Sequence, residues 1–289
     1  MYLLDSIGNT PLIKLKWINP SANVSIYAKY EGLNPGGSIK DRPALFMIQN
    51  ALQKGQLTSE KTILEATSGN MGIALAMIGS AIGIKVKIVL PDTTSPSKLK
   101  VIRAFGAETV FTPGKYGTDG AIETARSLYE RNPEKYFIPN QFDNKYNLLA
   151  HYYSTGPEIL TQMREERIDY LFAGIGTTGT IIGIGKYLKE KIPDIKVVGI
   201  EPYPDDPIEG LKNLKVSRVP KIFDPLLIDE IINVTSYEAN RTSDILAKNE
   251  GILAGLSSGA ILAGAIKYLK DKKNVNAVVI LPDRGERYF

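Results

Sequence analysis

One lysine of this chain, Lys40, stands between a tight turn and an apolar stretch of helix length. The turn before it is built from Pro35, Gly36 and Gly37, and the stretch after it begins at Asp41. A lysine on a rigid, glycine-lined turn can be held against a carbonyl group and form a Schiff base with it. Because glycine-rich turns before helices are common, this chemistry depends on what other segments bring to the same place.

A second segment has the composition of a phosphate-binding turn. A strand is predicted over Tyr170–Ile175 and a helix from Ile181 onward, with small residues between them. Backbone N–H groups at a helix start lack intrahelical partners, so a phosphate can be bound there without lysine or arginine. The spacing matches neither a Walker loop nor a dinucleotide fingerprint. An ordinary strand-to-helix turn is the alternative interpretation of Gly176, Thr177, Thr178, Gly179 and Thr180.

A third segment, Thr67–Asn70, lies between a predicted strand at Thr62–Ala66 and a predicted helix at Met71–Ile82. Its backbone donors at a second helix start suit a carboxylate. Serine, threonine and asparagine are also good helix caps, so a plain cap is the alternative interpretation.

These segments, together with Gly255–Gly259, resemble the cysteine synthase family of fold-type II pyridoxal-phosphate enzymes. The resemblance runs from Ile7 to Tyr288, with the family's motifs in the family's order. It implies pyridoxal 5′-phosphate on Lys40, with the cofactor phosphate in the loop from Gly176 to Thr180. It also implies that Asn70 binds the cofactor 3′-oxygen and that the Ser257 hydroxyl faces the pyridine nitrogen. The substrate α-carboxylate is then expected on Thr67, Ser68, Gly69, Asn70 and Gln141.

The activity that the resemblance implies is β-replacement. An O-activated L-serine, either O-acetylserine or O-phosphoserine, loses its β-substituent through an aminoacrylate, and sulfide adds to give L-cysteine. Lys40 removes the Cα proton and returns one. A neutral Ser257 opposite the pyridine nitrogen favours direct loss of the β-substituent. The alternatives are a cystathionine β-synthase-type core, a serine/threonine dehydratase-type lyase, and a non-catalytic sensor that keeps the fold.

Two departures from the family pattern bear on the substrate and the cofactor. The loop from Gly210 to Pro220 carries Lys212, Lys215 and Arg218 where acetylserine-dependent members have a glycine-rich stretch. Cations there suit a phosphate leaving group, so Lys212 and Arg218 are candidate substrate-binding residues, with a solvated basic loop as the alternative. Thr178 replaces a glycine of the family's phosphate loop and would be strained at a positive φ.

Composition narrows the function classes further. The chain of 289 residues has no cysteine, one histidine (His151) and a net charge of +4. Thiolate metal sites and Ser-His-Asp or Cys-His catalysis are therefore excluded or implausible, and no metal is expected. No basic tract indicates nucleic acid, and no apolar run reaches the roughly 20 residues of a membrane span. Without a signal peptide at the N-terminus, we expect a cytoplasmic protein.

Strand-like runs alternate with helix-length segments, which predicts an α/β fold of parallel sheets covered by helices. The resemblance implies a tryptophan synthase β-like architecture of two three-layer α/β domains with the cofactor in the cleft. We place the domains at residues 1–145 and 146–289, with residues 1–35 crossing to the second. The resemblance also implies a homodimer and leaves open a serine acetyltransferase partner.

Overall fold

The computed structural model describes residues 1–21 and 23–288. The strands are β1 (Leu12–Lys14), β2 (Val24–Tyr30), β3 (Thr62–Ala66), β4 (Val86–Pro91), β5 (Glu108–Thr112), β6 (Tyr136–Phe137), β7 (Tyr170–Gly174), β8 (Lys196–Pro202), β9 (Glu230–Val234) and β10 (Val275–Leu281). The α-helices are α1 (Asp41–Gln53), α2 (Asn70–Ile82), α3 (Pro96–Ala104), α4 (Gly117–Arg131), α5 (Lys145–Ala150), α6 (Gly156–Gln162), α7 (Gly179–Lys191), α8 (Ser236–Ile245) and α9 (Leu256–Leu269).

The larger sheet has six strands in the order β1-β2-β10-β7-β8-β9. Within the described residues, the β1/β2 pair is the one antiparallel strand pair of this sheet. Strand β10 lies between β2 and β7, with Ala277 opposite both Ile26 and Tyr170. The sheet is thus built from strands of both chain ends. Strands β7, β8 and β10 read as apolar runs because helices cover both faces of this sheet.

The smaller sheet has four parallel strands in the order β5-β4-β3-β6. Ile63 of β3 lies opposite Val86 of β4 and Phe137 of β6. The predicted strand at Thr62–Ala66 has the bounds of β3, whereas the two-residue strand β6 is too short to show a pattern in the sequence.

Each sheet is covered by helices on both faces. In the larger sheet, Phe172 packs toward α8 and α9, and Leu171 on the opposite face packs toward α6 and α7. In the smaller sheet, Ile63 belongs to a core shared with α1, α2 and α3, and Leu64 packs against α4. Burying each such side chain contributes about 1.5–3 kcal/mol. The predicted α/β class is confirmed, while the domain boundary at residue 145 stays a prediction.

None of the helices in the described ranges combines the length and the hydropathy needed to cross a bilayer.

The carboxyl ends of three strands converge on one cleft. Thr67 follows β3, Gly176 comes shortly after β7, and Asp283 comes shortly after β10. Open α/β sheets bind their ligands at such ends. The sheets therefore carry the predicted motifs to the same face of the molecule.

Candidate active site

Most of the predicted site residues line a single cavity of about 510 Å³ between the two sheets. They are Lys40, Thr67, Ser68, Gly69, Asn70, Gln141, Gly176, Thr177 and Lys212. A smaller space next to it is lined by Lys40, Asn70, Gly176, Thr177, Thr178, Thr180 and Ser257. Segments from the beginning, middle and end of the chain thus meet at Lys40. Their roles as catalytic or binding residues stay predictions.

Lys40 is held by the backbone on both sides. It stands directly before α1, after a turn in which Gly37 has φ +79° and donates its N–H to the Asn34 carbonyl at 2.7 Å. Only glycine adopts that φ readily. The N–H of Ile39 donates to the Pro282 carbonyl at 2.7 Å, which ties the turn to the end of β10.

The environment of Lys40 favours its neutral amine. Burial lowers the pKa of the Lys40 ammonium to about 8, although the negative charge of Asp283 opposes this shift. An amine with a lowered pKa is a better nucleophile at neutral pH because more of it is unprotonated. Lys40 is therefore suited to bond to an aldehyde and to exchange a proton.

Asn70 is oriented by two residues from the end of the chain. Its amide Nδ2 donates to Asp283 Oδ2 at 2.6 Å, and its Oδ1 accepts from Arg287 Nη1 at 2.6 Å. The Tyr288 hydroxyl also donates to Asp283 Oδ2 at 2.6 Å. Burial raises the pKa of Asp283, although the hydrogen bonds from Tyr288 and Asn70 oppose this. Together these contacts leave one orientation for the Asn70 amide, with its second N–H free for a ligand.

Sequence reasoning missed Asp283 and Tyr288 as site residues. Asp283 had a usable signal, because it comes just after the last predicted strand, where parallel sheets place ligand-binding groups. Tyr288 is the last residue of the family resemblance, but a tyrosine there is unremarkable by type and spacing and indicates no role. It nevertheless lines both parts of the cavity.

The loop Gly176–Thr180 leads into α7 with an unusual backbone at Thr178. Thr178 has φ +67°, so the expected strain of a β-branched residue in the left-handed region is present. Its hydroxyl is buried and has no partner among the described protein atoms. Such strain and such an unsatisfied group are typical of ligand-binding positions.

Gly179 is required at the start of α7. A Cβ there would lie 2.1 Å from Asn147 Oδ1, and Asn147 Nδ2 in turn donates to Thr177 Oγ1 at 3.0 Å. Any side chain at residue 179 would therefore displace the asparagine that holds the loop. This open helix start has the form expected of a phosphate cradle.

Ser257 lies at the other end of the smaller space, in the first turn of α9. It is 4% exposed. A hydroxyl there can face a ring nitrogen of a ligand bound between Lys40 and α9.

His151 is a packed histidine and does not line the cavity. Burial, and then the positive charge of Arg42, hold the pKa of its imidazole well below the usual range, and its ring contacts Thr155 Oγ1 at 2.9 Å.

Gln141 reaches the cavity from the segment that follows β6, and Glu65 holds it. Gln141 Nε2 donates to Glu65 Oε1 at 3.3 Å, and the N–H of Asn140 donates to Glu65 Oε2 at 3.0 Å. Burial raises the pKa of Glu65 to about 7, although these hydrogen bonds oppose the shift. Because one N–H of Gln141 is engaged, its other N–H can donate to a carboxylate at the Thr67–Asn70 helix start.

The structure separates the two predicted loop cations. Lys212 lines the cavity, with its Nζ 4.7 Å from the centroid of the Phe142 ring, and burial lowers the pKa of its ammonium. Arg218 lies outside the cavity lining and donates from Nη2 to Asp143 Oδ2 at 2.9 Å. The buried Glu201 anchors the loop, accepting from Asn213 Nδ2 at 2.9 Å.

The fold and the site define a class of protein, and the comparison with known families agrees. The sequence model of the family described as "Pyridoxal-phosphate dependent enzyme" matches residues 3–283. The chain belongs to this family, and its cofactor is pyridoxal 5′-phosphate.

Particular relatives are similar over nearly their whole length. A cysteine synthase of Aquifex aeolicus is 45% identical over 295 residues, covering 99% of this chain and 90% of the relative. The crystal structure of an O-ureido-L-serine synthase has a TM-score of 0.94 at 38% identity, covering 99% of this chain and 92% of that one. The crystal structure of an O-acetylserine dependent cystathionine beta-synthase from Helicobacter pylori has a TM-score of 0.93 at 36% identity. The match covers 100% of this chain and 97% of that one.

The residues present fit this cofactor. The buried Thr178 hydroxyl without a partner and the open start of α7 suit its phosphate. Lys40 has a pKa lowered toward neutrality and suits its aldehyde. Asn70 and Ser257 line the space between these two points.

Proposed function

We propose that this protein is a cysteine synthase that replaces the β-substituent of an O-activated L-serine by sulfide. The observation that carries the proposal is the placement of Lys40, the Thr67–Asn70 helix start and the Gly176–Thr180 loop in one cleft. The 45% identity to a cysteine synthase over 99% of this chain supports the same activity. The protein is thus a transferase of amino-acid biosynthesis.

Lys40 carries the cofactor and moves the proton. When bound, pyridoxal 5′-phosphate supplies an aldehyde for an amine and a ring that accepts electron density from the substrate Cα. With the substrate in place, Lys40 Nζ would accept the Cα proton and later return one to the same carbon. The lowered pKa of Lys40 makes both transfers accessible near neutral pH.

The substrate carboxylate is held at the start of α2. The backbone N–H groups of Ser68 and Gly69 and the side chains of Thr67 and Gln141 are its donors. Asn70 would hold the cofactor 3′-oxygen, because Asp283 and Arg287 fix its amide. These contacts hold the Cα–H bond in the orientation that Lys40 requires.

The cofactor is held at its two other ends by α7 and α9. Gly176, Thr177, Thr178, Gly179 and Thr180 bind the phosphate with backbone N–H and hydroxyl donors. The Ser257 hydroxyl would face the pyridine nitrogen without protonating it fully. Because that serine is neutral, loss of the β-substituent follows proton removal directly.

We propose O-phosphoserine as a donor alongside O-acetylserine. Lys212 supports this, since its ammonium lines the cavity and is only partly hydrated. Arg218 acts indirectly. Its ion pair with Asp143 fixes the end of the loop that carries Lys212. Replacing Lys212 by alanine should therefore raise the KM for O-phosphoserine more than that for O-acetylserine.

The cystathionine synthase activity named for the Helicobacter pylori structure is a second candidate, because that structure covers all of this chain at 36% identity. Homocysteine would then take the place of sulfide. Product analysis with each nucleophile in turn separates the two activities.

Assembly and location rest on the family resemblance. We propose a homodimer in the cytoplasm, with a serine acetyltransferase as a partner that docks in the active site. Sedimentation of the purified protein tests the dimer. Competition between O-acetylserine and a peptide from such a partner's C-terminus tests the docking.

The test of the proposed activity is L-cysteine formation by the cofactor-loaded protein. It is measured with O-acetylserine or O-phosphoserine plus sulfide, for the wild type and Lys40→Ala. Lys54→Ala, which changes an exposed lysine at the end of α1, is the control. We expect cysteine from the wild type and the control and none above background from Lys40→Ala. Equal rates in all three proteins would contradict the mechanism.

A further inference from the structure

Lys98 is a buried ammonium in the wall of the cavity. It lies in the first turn of α3, beside the smaller sheet, and its side chain is 1% exposed. Its Nζ lies 4.3 Å from the centroid of the Tyr288 ring. A desolvated cation requires an anionic or strongly polar partner, because burial of an unpaired charge is costly.

The partner of Lys98 is Glu209, which comes from the other side of the cleft. Glu209 lies on the segment after β8 of the larger sheet, and its carboxylate accepts from Lys98 Nζ. Both residues line the same cavity as Lys40. The ion pair therefore spans the cavity between the two sheets.

The two members of this ion pair differ in their exposure to solvent. Lys98 is enclosed by the protein, whereas the side chain of Glu209 is 47% exposed. A partly exposed carboxylate loses little when it returns to water, while the enclosed ammonium cannot leave. Glu209 can thus be exchanged for another anion, and Lys98 would stay in place to receive it.

The charge distribution of the cavity points to the same exchange. Among the described residues that line it, Glu209 is the one acid, and the bases are Lys40, Lys98 and Lys212. The Tyr288 hydroxyl donates to Asp283 at 2.6 Å, and Asp283 contacts Asn70. Lys98 is therefore joined through Tyr288 to the network that surrounds Lys40.

We propose that Lys98 binds the anion that leaves the β-carbon. Until the substrate arrives, the Glu209 carboxylate is paired with Lys98, and the leaving anion then replaces it. The proposal rests on the β-replacement activity proposed above. The Cα proton goes to Lys40 Nζ, and the electron pair of the Cα–H bond forms the Cα=Cβ double bond. The Cβ–O bond breaks, and its electron pair stays with the departing oxygen. Acetate and phosphate both depart as anions, so either donor presents negative charge to Lys98, with phosphate carrying more of it than acetate.

The experiment measures anion binding to the cofactor-loaded protein by calorimetry, with no turnover. Sodium acetate and inorganic phosphate are the two probes, because the loaded cofactor already fills the phosphate loop. Glu209→Gln removes the competing carboxylate. It should tighten binding of the leaving anion by about threefold, an effect within the range of partly exposed ion pairs. Lys98→Met should weaken it roughly tenfold or more, as for a lost hydrogen bond to a charged group.

Matched controls carry the same charge changes at exposed positions. Lys100→Met lies on the same helix as Lys98, and Asp205→Asn lies on the same segment as Glu209. Neither control should change the affinity of either probe. Lys98→Arg should restore most of the affinity lost in Lys98→Met, and thermal unfolding of each variant shows whether it is folded.

The two probes and the variants give distinct results. Tighter binding of phosphate alone in Glu209→Gln supports the proposal for a phosphate leaving group, and tighter binding of acetate alone supports it for acetate. Unchanged or weaker binding of both probes in Glu209→Gln overturns it, even if Lys98→Met does not fold. The proposed β-replacement is tested separately by cysteine formation in the wild type, so either claim can fail while the other stands.

Discussion

The side-chain amide of Asn70 donates to the carboxylate of Asp283 at 2.6 Å, across 213 positions of the chain. Asn70 opens α2 beside the smaller sheet, and Asp283 follows β10 of the larger sheet. This hydrogen bond therefore joins the two sheets at the base of the cleft. It also fixes the Asn70 amide, which we propose to orient the cofactor.

Removing Arg287, the cationic partner of the Asn70 amide, should weaken cofactor binding. In Arg287→Met, Asn70 Oδ1 loses a hydrogen bond of 2.6 Å from a guanidinium. We expect the dissociation constant for pyridoxal phosphate to rise roughly tenfold or more. Absorbance titration of the cofactor-free protein measures it, with the exposed Arg126→Met as control. An unchanged constant in Arg287→Met would show that Asn70 does not depend on this contact.

The lowered pKa of Lys40 sets the pH dependence of cofactor attachment. Only the unprotonated amine attacks an aldehyde, and burial brings the pKa of this amine down to about 8 from 10.5. The rate of attachment to the cofactor-free protein should therefore rise with pH and level off above about pH 8. Stopped-flow absorbance at a series of pH values measures this rate. A rise that continues toward pH 10.5 would indicate an ordinary, solvated lysine.

A buried ion cluster beside α1 should control stability in acid. Although burial opposes the shift, hydrogen bonds from Arg42 and Lys29 lower the pKa of Glu158 to about 2 from 4.5. A carboxyl with a lowered folded-state pKa contributes stability above its unfolded value of 4.5, and loses it as pH falls toward 2. Denaturant midpoints should therefore decrease across that pH range.

The same cluster predicts a large mutational effect. Glu158→Gln removes the partner of the buried Lys29, whose side chain is fully enclosed, and of Arg42. We expect a loss of about 3–5 kcal/mol, as for other broken buried ion pairs. Urea unfolding at neutral pH measures it against Glu130→Gln, an exposed ion-pair member on α4. Equal stabilities of the two variants would contradict this account.

The strained backbone at Thr178 predicts a stabilising substitution. Thr178→Gly should raise the free energy of unfolding by about 1 kcal/mol, because glycine adopts a φ of +67° without the side-chain penalty. Thr178→Ala removes the same hydroxyl but keeps most of the strain, so it should not stabilise. Thermal unfolding of the cofactor-free variants compares them. If Thr178→Ala were also stabilised, the destabilisation would come from the buried hydroxyl and not from the backbone.

The motifs that the sequence revealed are those with a local cause. Thr62–Ala66 is a buried strand followed by a turn of small residues, and the structure has a strand with those bounds. The glycines before Lys40 indicated a tight turn, and Gly37 has the positive φ that such a turn requires. Fold class and most elements could be predicted because the spacing of apolar residues along a short segment indicates whether it forms a strand or a helix.

The features that the sequence did not reveal depend on contacts between distant segments. Strand β2 contains Lys29, which looks like a solvent-facing residue but is buried against Glu158 at 2.7 Å. Lys98 likewise looks like part of a solvated helix face, because nothing near it in the chain shows that Glu209 reaches it. Lys212 and Arg218 could not be told apart before Asp143, 75 positions from Arg218, was known to lie beside that arginine.

Chemical trapping of the cofactor tests the central claim most directly. The cofactor-loaded protein is reduced with borohydride, which makes the bond between cofactor and lysine permanent, and digested peptides are mapped by mass spectrometry. We expect the phosphopyridoxyl group on the peptide that contains Lys40. Attachment to Lys98 or Lys212, the other lysines that line the cavity, or no attachment at all, would contradict the account.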